Sequence, residues 1–208
     1  MLYVTRRATG LAAVALVIAT SVALAQTPPA NPPVRVRGTV EKVDGNTVMV
    51  KLASGENATI KLADNVRVLG LEKITIADVK PGNYVGVSSM PQTDGTQKAM
   101  HVHIFPDAMR GVAEGHTPWD SRPGAMMTNA NVESTVASND GQTLMVKYKD
   151  GEKKVIVPAD AVIVKYVPGD KAELAPGAKI FVIGAQRQPD GTLTAANVTV
   201  GRGITPPM

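Results

Sequence analysis

The sequence predicts an all-β protein organised as two tandem small barrels behind a signal peptide, with one short helix per repeat. Three observations lead to this fold class. Short runs of apolar residues alternate with polar ones, and glycine-containing turns separate these runs. The same pattern also occurs twice along the chain, which indicates a duplicated module.

The chain opens with a segment typical of secretory signal peptides. Arg6 and Arg7 precede an uncharged run from Leu11 to Ala25, which ends in the small-x-small sequence Ala-Leu-Ala. That run is shorter than the roughly 20 apolar residues that span a bilayer. We therefore predict a Sec-type signal peptide over residues 1–25 and a periplasmic or secreted mature protein, with no membrane span after cleavage.

Composition excludes several classes of function. The chain has no cysteine, so disulfides, thiolate metal sites and cysteine nucleophiles are all absent. Without Arg6 and Arg7 the 22 basic side chains fall to 20, against 18 acidic ones. Such a balance, together with only 3% aromatic residues, gives no basic patch or stacking surface for nucleic acid.

An internal repeat divides the mature chain. Short matches recur 96 residues apart: Asp44-Gly45 with Asp140-Gly141, Met49-Val50-Lys51 with Met145-Val146-Lys147, and Asp94-Gly95-Thr96 with Asp190-Gly191-Thr192. Pro81-Gly82 and Pro176-Gly177 also match, one residue out of step. The predicted regions are a disordered Pro-rich N-terminus (26–33), a first barrel repeat (34–105), a packed connection (106–127), a second barrel repeat (128–201) and a disordered tail (202–208).

Each repeat is predicted to consist of short strands separated by tight turns. Val48, Val50 and Leu52 alternate with other side chains, which is the period-two signature of a half-buried strand. The second repeat shows the same alternation from Leu144 to Tyr148. Asp44-Gly45 is a hairpin signal, because glycine reaches positive φ without a Cβ clash.

One short helix is predicted in each repeat. Thr75 to Asp78 and Asp170 to Glu173 both have the residue pattern of a capping box, and a Pro-Gly pair follows each of them. Five or six short strands with one helical turn fit a small closed barrel of OB-like type, with an open sandwich as the alternative.

The first repeat carries a family resemblance. The stretch GTVEKVDGNTVMVKLASGENATIKLADNVRV, with ADVKPGNYVGV and DGTQKA further on, resembles a domain family of unknown function from exported bacterial proteins. The resemblance covers residues 35–200 and implies small OB-like barrels, often in tandem, without an assigned activity. The second repeat departs from the pattern, having Asn131-Val132-Glu133 near the place of Gly38-Thr39-Val40.

Residues 101–127 concentrate the side chains with metal-binding chemistry. On a strand, His101 and His103 point to the same face about 7 Å apart, close enough to share a transition-metal ion. His116 and the methionines Met109, Met126 and Met127 could fold back as further ligands. Imidazole with thioether suits copper, whereas imidazole with carboxylate suits zinc or nickel.

A second interpretation of the histidines stays open. Positions 96 residues after His101 and His103 hold Asn197 and Thr199, so the barrel does not need imidazoles there. An alternating strand also places polar side chains on its solvated face. The two histidines are then ordinary outward-facing residues, and no cofactor is required.

The connection is also expected to pack between the barrels. Pro106 is placed to begin a helical turn over Asp107 to Arg110, which Gly111 ends. Trp119 is large enough that its burial is worth a few kcal/mol, so we expect it to lie in the cleft between the barrels. This contact region between the barrels, the seam, is a candidate site for a ligand or partner. Its predicted residues are Met109, Arg110, Trp119 and Asp120.

The predicted function is that of an exported cell-envelope protein which binds a small ligand or a partner, or acts as a scaffold. The first alternative is a periplasmic protein binding Cu, Zn or Ni through His101, His103 and His116. An envelope enzyme is the third hypothesis. Its support is weak, because His116, Asp120 and a serine would need a nucleophile element such as GxSxG, and the sequence has none.

Overall fold

The computed structural model describes residues 32–138 and 141–206. Their regular structure is almost entirely β, as predicted, and no helix in this part reaches seven residues. The strands are β1 (Val34–Asp44), β2 (Thr47–Leu52), β3 (Asn57–Lys73), β4 (Tyr84–Pro91), β5 (Gln97–Ile104), β6 (Gly115–Pro118), β7 (Met126–Ser138), β8 (Gly141–Tyr148), β9 (Gly151–Val157), β10 (Val162–Pro168), β11 (Lys179–Arg187) and β12 (Leu193–Gly201).

Five strands close into a barrel. β1 pairs with β2 and β11, β2 pairs with β3, and β11 pairs with β12. A parallel pairing of β12 with β3 completes the ring. Alternate side chains point inward, so Val48 and Val50 are buried in its core while Met49 between them is exposed.

A second ring of pairings surrounds a separate core. β4 pairs with β5 and β7, and β8 pairs with β7 and β9. A parallel contact of two residue pairs between β5 and β9 closes this ring. Its interior holds Val85, Val87 and Val102. β10 joins the two rings, because it pairs with β3 of the first and β5 of the second.

The strand pairing differs from the predicted division into consecutive repeats. β11 and β12 belong to the predicted second repeat, yet they complete the ring begun by β1, β2 and β3. Conversely, β4 and β5 pair with β7 and β9. Neither 34–105 nor 128–201 therefore contains all the strands of one ring. The first ring is closed by the hairpin β11–β12 from the C-terminal half of the chain, and the second ring includes β4–β5 from the N-terminal half.

The β4–β5 and β11–β12 hairpins turn in the same way. In the β4–β5 turn the Asp94 carboxylate accepts hydrogen bonds from the backbone N–H and hydroxyl of Thr96, at 3.0 and 2.7 Å. In the β11–β12 turn Asp190 accepts the same pair of bonds from Thr192. Gly95 and Gly191 both have φ near +80°, where a side chain would be strained.

The predicted helices are single 3-10 turns. They span Ile76–Asp78 and Lys171–Glu173, and each begins with the predicted capping box. A third such turn, Asp107–Met109, follows Pro106 as expected. The prediction of helices was therefore too strong, because a Pro-Gly pair follows too soon after the first two turns for an α-helix to continue.

The tail predicted to be disordered is packed as far as residue 206. The Arg202 guanidinium pairs with Glu72 at 2.7 Å and Glu173 at 2.8 Å, and Ile204 packs against buried aromatic residues. The predicted signal peptide, residues 26–31 and residues 207–208 lie outside the described residues. Within 32–138 and 141–206, no helix has the length and hydropathy to cross a membrane.

Candidate functional site

The seam between the two rings contains a third apolar cluster, which is separate from the two cores. Its fully or largely buried members come from β3, β4, β10, β11 and the residue after β5: Leu71, Tyr84, Phe105, Val164, Tyr166 and Phe181. Met109 and Trp119 of the connection pack against it. Five of the seven aromatic residues of the chain therefore meet in one place.

His101 and His103 are buried in this region, each only 2% exposed. On the neighbouring strand β4, His103 lies opposite Gly86 and His101 lies opposite Ser88. The expectation that these histidines face solvent is therefore wrong. The alternating pattern correctly predicted that both histidines lie on one face of β5. That face points away from the core of the second ring, but other residues of the seam cover it.

His116 lies on the other face of the same sheet. It pairs with Thr128, which lies opposite Val87, and Val87 in turn lies opposite Val102. Residues opposite one another on paired strands share a face, so His116 faces away from His101 and His103. Its Nδ1 lies 2.8 Å from the Thr128 hydroxyl.

The predicted three-histidine metal site is therefore not brought together. Across the described part of the chain, no group of three or more His, Asp or Glu side chains is arranged to hold a metal ion. Imidazole chemistry in the seam is confined to His101 and His103, whose rings stack with centroids 5.5 Å apart.

Burial keeps both imidazoles neutral. It lowers the pKa of His101 from 6.5 to about 4, and the nearby Arg37 guanidinium adds to the effect. Burial also lowers the pKa of His103 well below 6.5, with His101 as the second cause. The His103 ring meets Phe105 edge-on at 4.5 Å and Tyr166 edge-on at 5.4 Å.

We expect acid to destabilise the protein through these histidines. The pKa of His101 is about 4 in the folded state, whereas histidine in an unfolded chain has its ordinary pKa of 6.5. The unfolded chain therefore binds more protons than the folded protein below about pH 6.5. The stabilising contribution is complete above pH 6.5 and is lost as the pH falls towards 4. At pH 4 the loss from His101 alone is about 3 kcal/mol.

Urea denaturation at pH 7, 5 and 4 measures this loss. His101→Gln, which cannot titrate, should lose about 3 kcal/mol less than the wild type between pH 7 and 4. Equal losses in the two proteins would show that His101 is not held neutral by its surroundings.

A cavity of about 240 Å³ opens beside His103 in the seam. Its walls are mainly apolar and come from β1, β7, β10, β11 and the connection: Arg35, His103, Phe105, Met109, Val112, Ala113, Thr117, Trp119, Met127, Asn129, Tyr166 and Ile183. Val112 is 47% and Ile183 54% exposed, so the cavity communicates with solvent at this rim.

Three residues of the cavity wall carry buried polar atoms that have no hydrogen-bond partner within residues 32–138 and 141–206. These atoms are His103 Nδ1, Asn129 Oδ1 and Trp119 Nε1. The Asn129 amide nitrogen donates to the carbonyls of Val112 and Ala113, at 3.3 and 3.1 Å, which leaves the Oδ1 atom as the unused end. Unpaired buried polar atoms are rare in folded proteins and cost free energy.

A charged cluster borders the cavity beside Trp119. The Arg37 guanidinium donates to Asp120 at 2.8 Å, and Arg35 contacts the same carboxylate at 3.3 Å. The hydrogen bond from Arg37 is the main cause that lowers the pKa of Asp120. Arg35 also lies over the Trp119 ring, 4.2 Å from its centroid. Trp119 thus packs against a side chain of β1.

Arg110 stabilises the connection away from the cavity. Its guanidinium donates to Asn131 Oδ1 at 2.7 Å, to the Gly82 carbonyl at 3.0 Å and to Asp107 at 2.9 Å. Of the four residues predicted for the seam, Met109 and Trp119 line the cavity, Asp120 borders it and Arg110 does not take part.

Sequence reasoning did not name eight of the twelve residues of the cavity wall, and four of these matter most for its chemistry: Arg35, Phe105, Asn129 and Tyr166. They come from β1, β7, β10 and the residue following β5, and no sequence spacing connects them. One usable signal was composition. In a chain with few aromatic residues, Phe105 and Tyr166 were candidates for a shared cluster.

Comparisons of the chain with protein-family models, with curated proteins and with solved structures found no match. The chemistry of the seam cavity therefore carries the functional argument.

Proposed function

We propose that this chain is an exported cell-envelope protein that binds a small, largely apolar ligand in the seam cavity and does not transform it. The observation that carries the proposal is an apolar cavity whose wall includes three unpartnered buried polar atoms. Apolar walls with a few placed polar groups are the usual composition of small-molecule sites. Export rests on the signal peptide predicted for residues 1–25.

The size of the cavity limits the ligand. An apolar cavity of about 150 Å³ accommodates benzene, and sites for drug-sized ligands range from about 300 to 1,000 Å³. At about 240 Å³ the seam cavity lies between these values. The ligand is therefore expected to be about the size of a monocyclic ring with one substituent.

A larger cleft beside β9 and β10 fits this role less well. It has a volume of about 770 Å³ and contains no aromatic side chain in its wall. Gln142 Oε1 is the one atom of its lining that is buried and lacks a partner among the described residues. The wall of the seam cavity has more aromatic side chains and more unpartnered polar atoms than the wall of this cleft.

We also propose that the chain arose by duplication of one domain of the OB-like family that the sequence resembles. The matching Asp94 and Asp190 turns support duplication, as do the two five-strand rings that each close through a parallel pair. A five-strand barrel supports the OB-like assignment. Exchange of the closing hairpins creates the seam between the rings, where the cavity lies.

The arrangement of His116 and Asp120 supports binding rather than catalysis. His116 Nδ1 is engaged with Thr128, and Asp120 is engaged with Arg35 and Arg37. A triad requires the base to contact both a nucleophile and an orienting carboxylate. These two residues instead have separate structural partners.

A second candidate function is binding of a soft metal ion such as Cu(I) in the same cavity. The neutral imidazole of His103 and the thioethers of Met109 and Met127 all line it, and these donors suit copper. His116 takes no part in this version. Titration with Cu(I) under reducing conditions tests this candidate. Displacement of bound Cu(I) by an apolar probe would indicate that the metal ion and the probe occupy the same cavity.

The proposed function predicts that small neutral aromatic probes stabilise the protein. At ten times its dissociation constant, toluene or benzyl alcohol should contribute about 1.4 kcal/mol and raise Tm by about 3–5 °C. Differential scanning calorimetry over a range of probe concentrations measures the effect.

Thr117→Phe provides the blocked variant. Thr117 is an exposed residue of the cavity wall, and a phenyl ring there should fill the space and abolish the shift. Val136→Phe is the matched control, because Val136 is 58% exposed on β7 and does not line the cavity. The proposal fails if neither probe raises Tm, or if Thr117→Phe responds as the wild type does.

A further inference from the structure

We infer that the ligand class of the seam cavity is a small aromatic carboxylate, with its ring inside the cavity and its carboxylate on Arg35. This inference rests on the proposed function and adds two features to it, aromaticity and a negative charge. The first follows from the shape and composition of the walls. The second follows from the guanidinium group of Arg35 in the cavity wall.

The walls are suited to a flat ring. Phe105 and Tyr166 stack with centroids 5.5 Å apart and planes 18° from parallel, and Trp119 lies elsewhere in the same lining. Met109 and Met127 add thioether sulfurs, which make favourable contacts with aromatic rings. Three aromatic and two methionine side chains around 240 Å³ favour an aromatic occupant over an aliphatic one of equal size.

Arg35 is the charged side chain of the cavity wall. Both Arg35 and Arg37 contact the carboxylate of Asp120. Arg37 makes the shorter contact, at 2.8 Å against 3.3 Å for Arg35. An arginine has five N–H donors in a planar fork, so Arg35 can keep Asp120 and still donate to a second carboxylate.

The position of Arg35 suits a charged group on a mainly apolar ligand. Its side chain is 38% exposed, so a carboxylate bound there stays in contact with solvent and avoids most of the cost of desolvation. His103, by contrast, is neutral and buried, and it offers no charge to the deeper part of the cavity. The ligand is thus expected to bind ring first, with its carboxylate at the rim.

Benzoate is the probe that tests this class. By isothermal titration calorimetry the wild type should bind benzoate at least about tenfold more tightly than benzyl alcohol, since a charged hydrogen bond is gained. Cyclohexanecarboxylate has the charge without the aromatic ring and should also bind more weakly than benzoate. Raising the ionic strength should weaken benzoate binding and leave benzyl alcohol binding unchanged.

Arg35→Gln should weaken benzoate binding by about tenfold or more and weaken benzyl alcohol binding by much less, because only benzoate carries the charge that Arg35 contacts. Arg67→Gln is the matched control, because Arg67 is an exposed arginine of β3 outside the cavity wall. If benzyl alcohol binds as tightly as benzoate, the charge inference is overturned while the binding function stands. Equal binding of cyclohexanecarboxylate and benzoate would overturn the aromatic inference. If no probe binds, the proposed function fails as well.

Discussion

A chain truncated after Ala175 is expected to lose its first barrel. The deletion removes β11 and β12, which supply seven of the fifteen buried side chains of that core. Five of the seven are Val, Ile or Leu, and at about 1.5–3 kcal/mol each the loss is on the order of 8–15 kcal/mol. That is as large as the roughly 5–15 kcal/mol by which a typical domain is stable. The edges of β1 and β3 would also lose their partners.

Methyl NMR and urea denaturation measure the outcome. In the truncated chain, the methyl resonances of Val48, Val50 and Ile60 should move to random-coil positions. Co-expression of residues 175–208 as a separate polypeptide should restore them, because the hairpin can pair with β1 and β3 in trans. A first barrel that survives truncation would show that residues 34–105 close on their own, as the consecutive-repeat interpretation requires.

Gly86→Ala is expected to destabilise the protein by about 3 kcal/mol or more, as severe overpacking does. A Cβ at this position would overlap with His103 Nε2 and lie 2.7 Å from Asn129 Oδ1. Neither of these two side chains can move away easily. His103 is buried between Phe105 and Tyr166, and Asn129 is held by two backbone carbonyls.

A double-mutant cycle isolates this contact. His103→Ala removes the ring that the new methyl group would strike, so Gly86→Ala should cost much less in the His103→Ala background. We expect a coupling of about 2 kcal/mol or more from urea denaturation. Gly151→Ala is the control, because its nearest neighbour is a tyrosine hydroxyl at 3.3 Å. Additive costs at residues 86 and 103 would mean that His103 does not lie against β4.

The strands and turns of the fold could be predicted, but their partners could not. The alternation from Val48 to Leu52 and the Asp94 and Asp190 turns are local signals, and the structure has a strand and two hairpin turns there. The ring to which each hairpin belongs is not determined by such local signals. Because β4–β5 and β11–β12 have similar patterns, either hairpin could close either ring as far as local sequence is concerned. The choice depends on packing across the whole molecule.

The same limit applies to the site. Period-two alternation placed His101 and His103 on one face, and the structure has them there. Whether that face is solvated depends on what covers it. Tyr166, which contacts the His103 ring, belongs to a strand distant in sequence, and no local pattern reveals the position of that strand. His116 was grouped with the other two because it is near in sequence, yet strand register places it on the opposite face.

Titration of the protein with benzyl alcohol, followed by ¹H–¹⁵N NMR, tests the central claim that the seam cavity is a ligand site. Trp119 is the only tryptophan of the chain, so its indole N–H gives a single resonance, and the Trp119 side chain lines the cavity. We predict a saturable shift of this resonance, with nuclear Overhauser contacts from the probe to Met127 and Phe105. An indole resonance that stays in place while amides beside β9 and β10 shift would contradict the account.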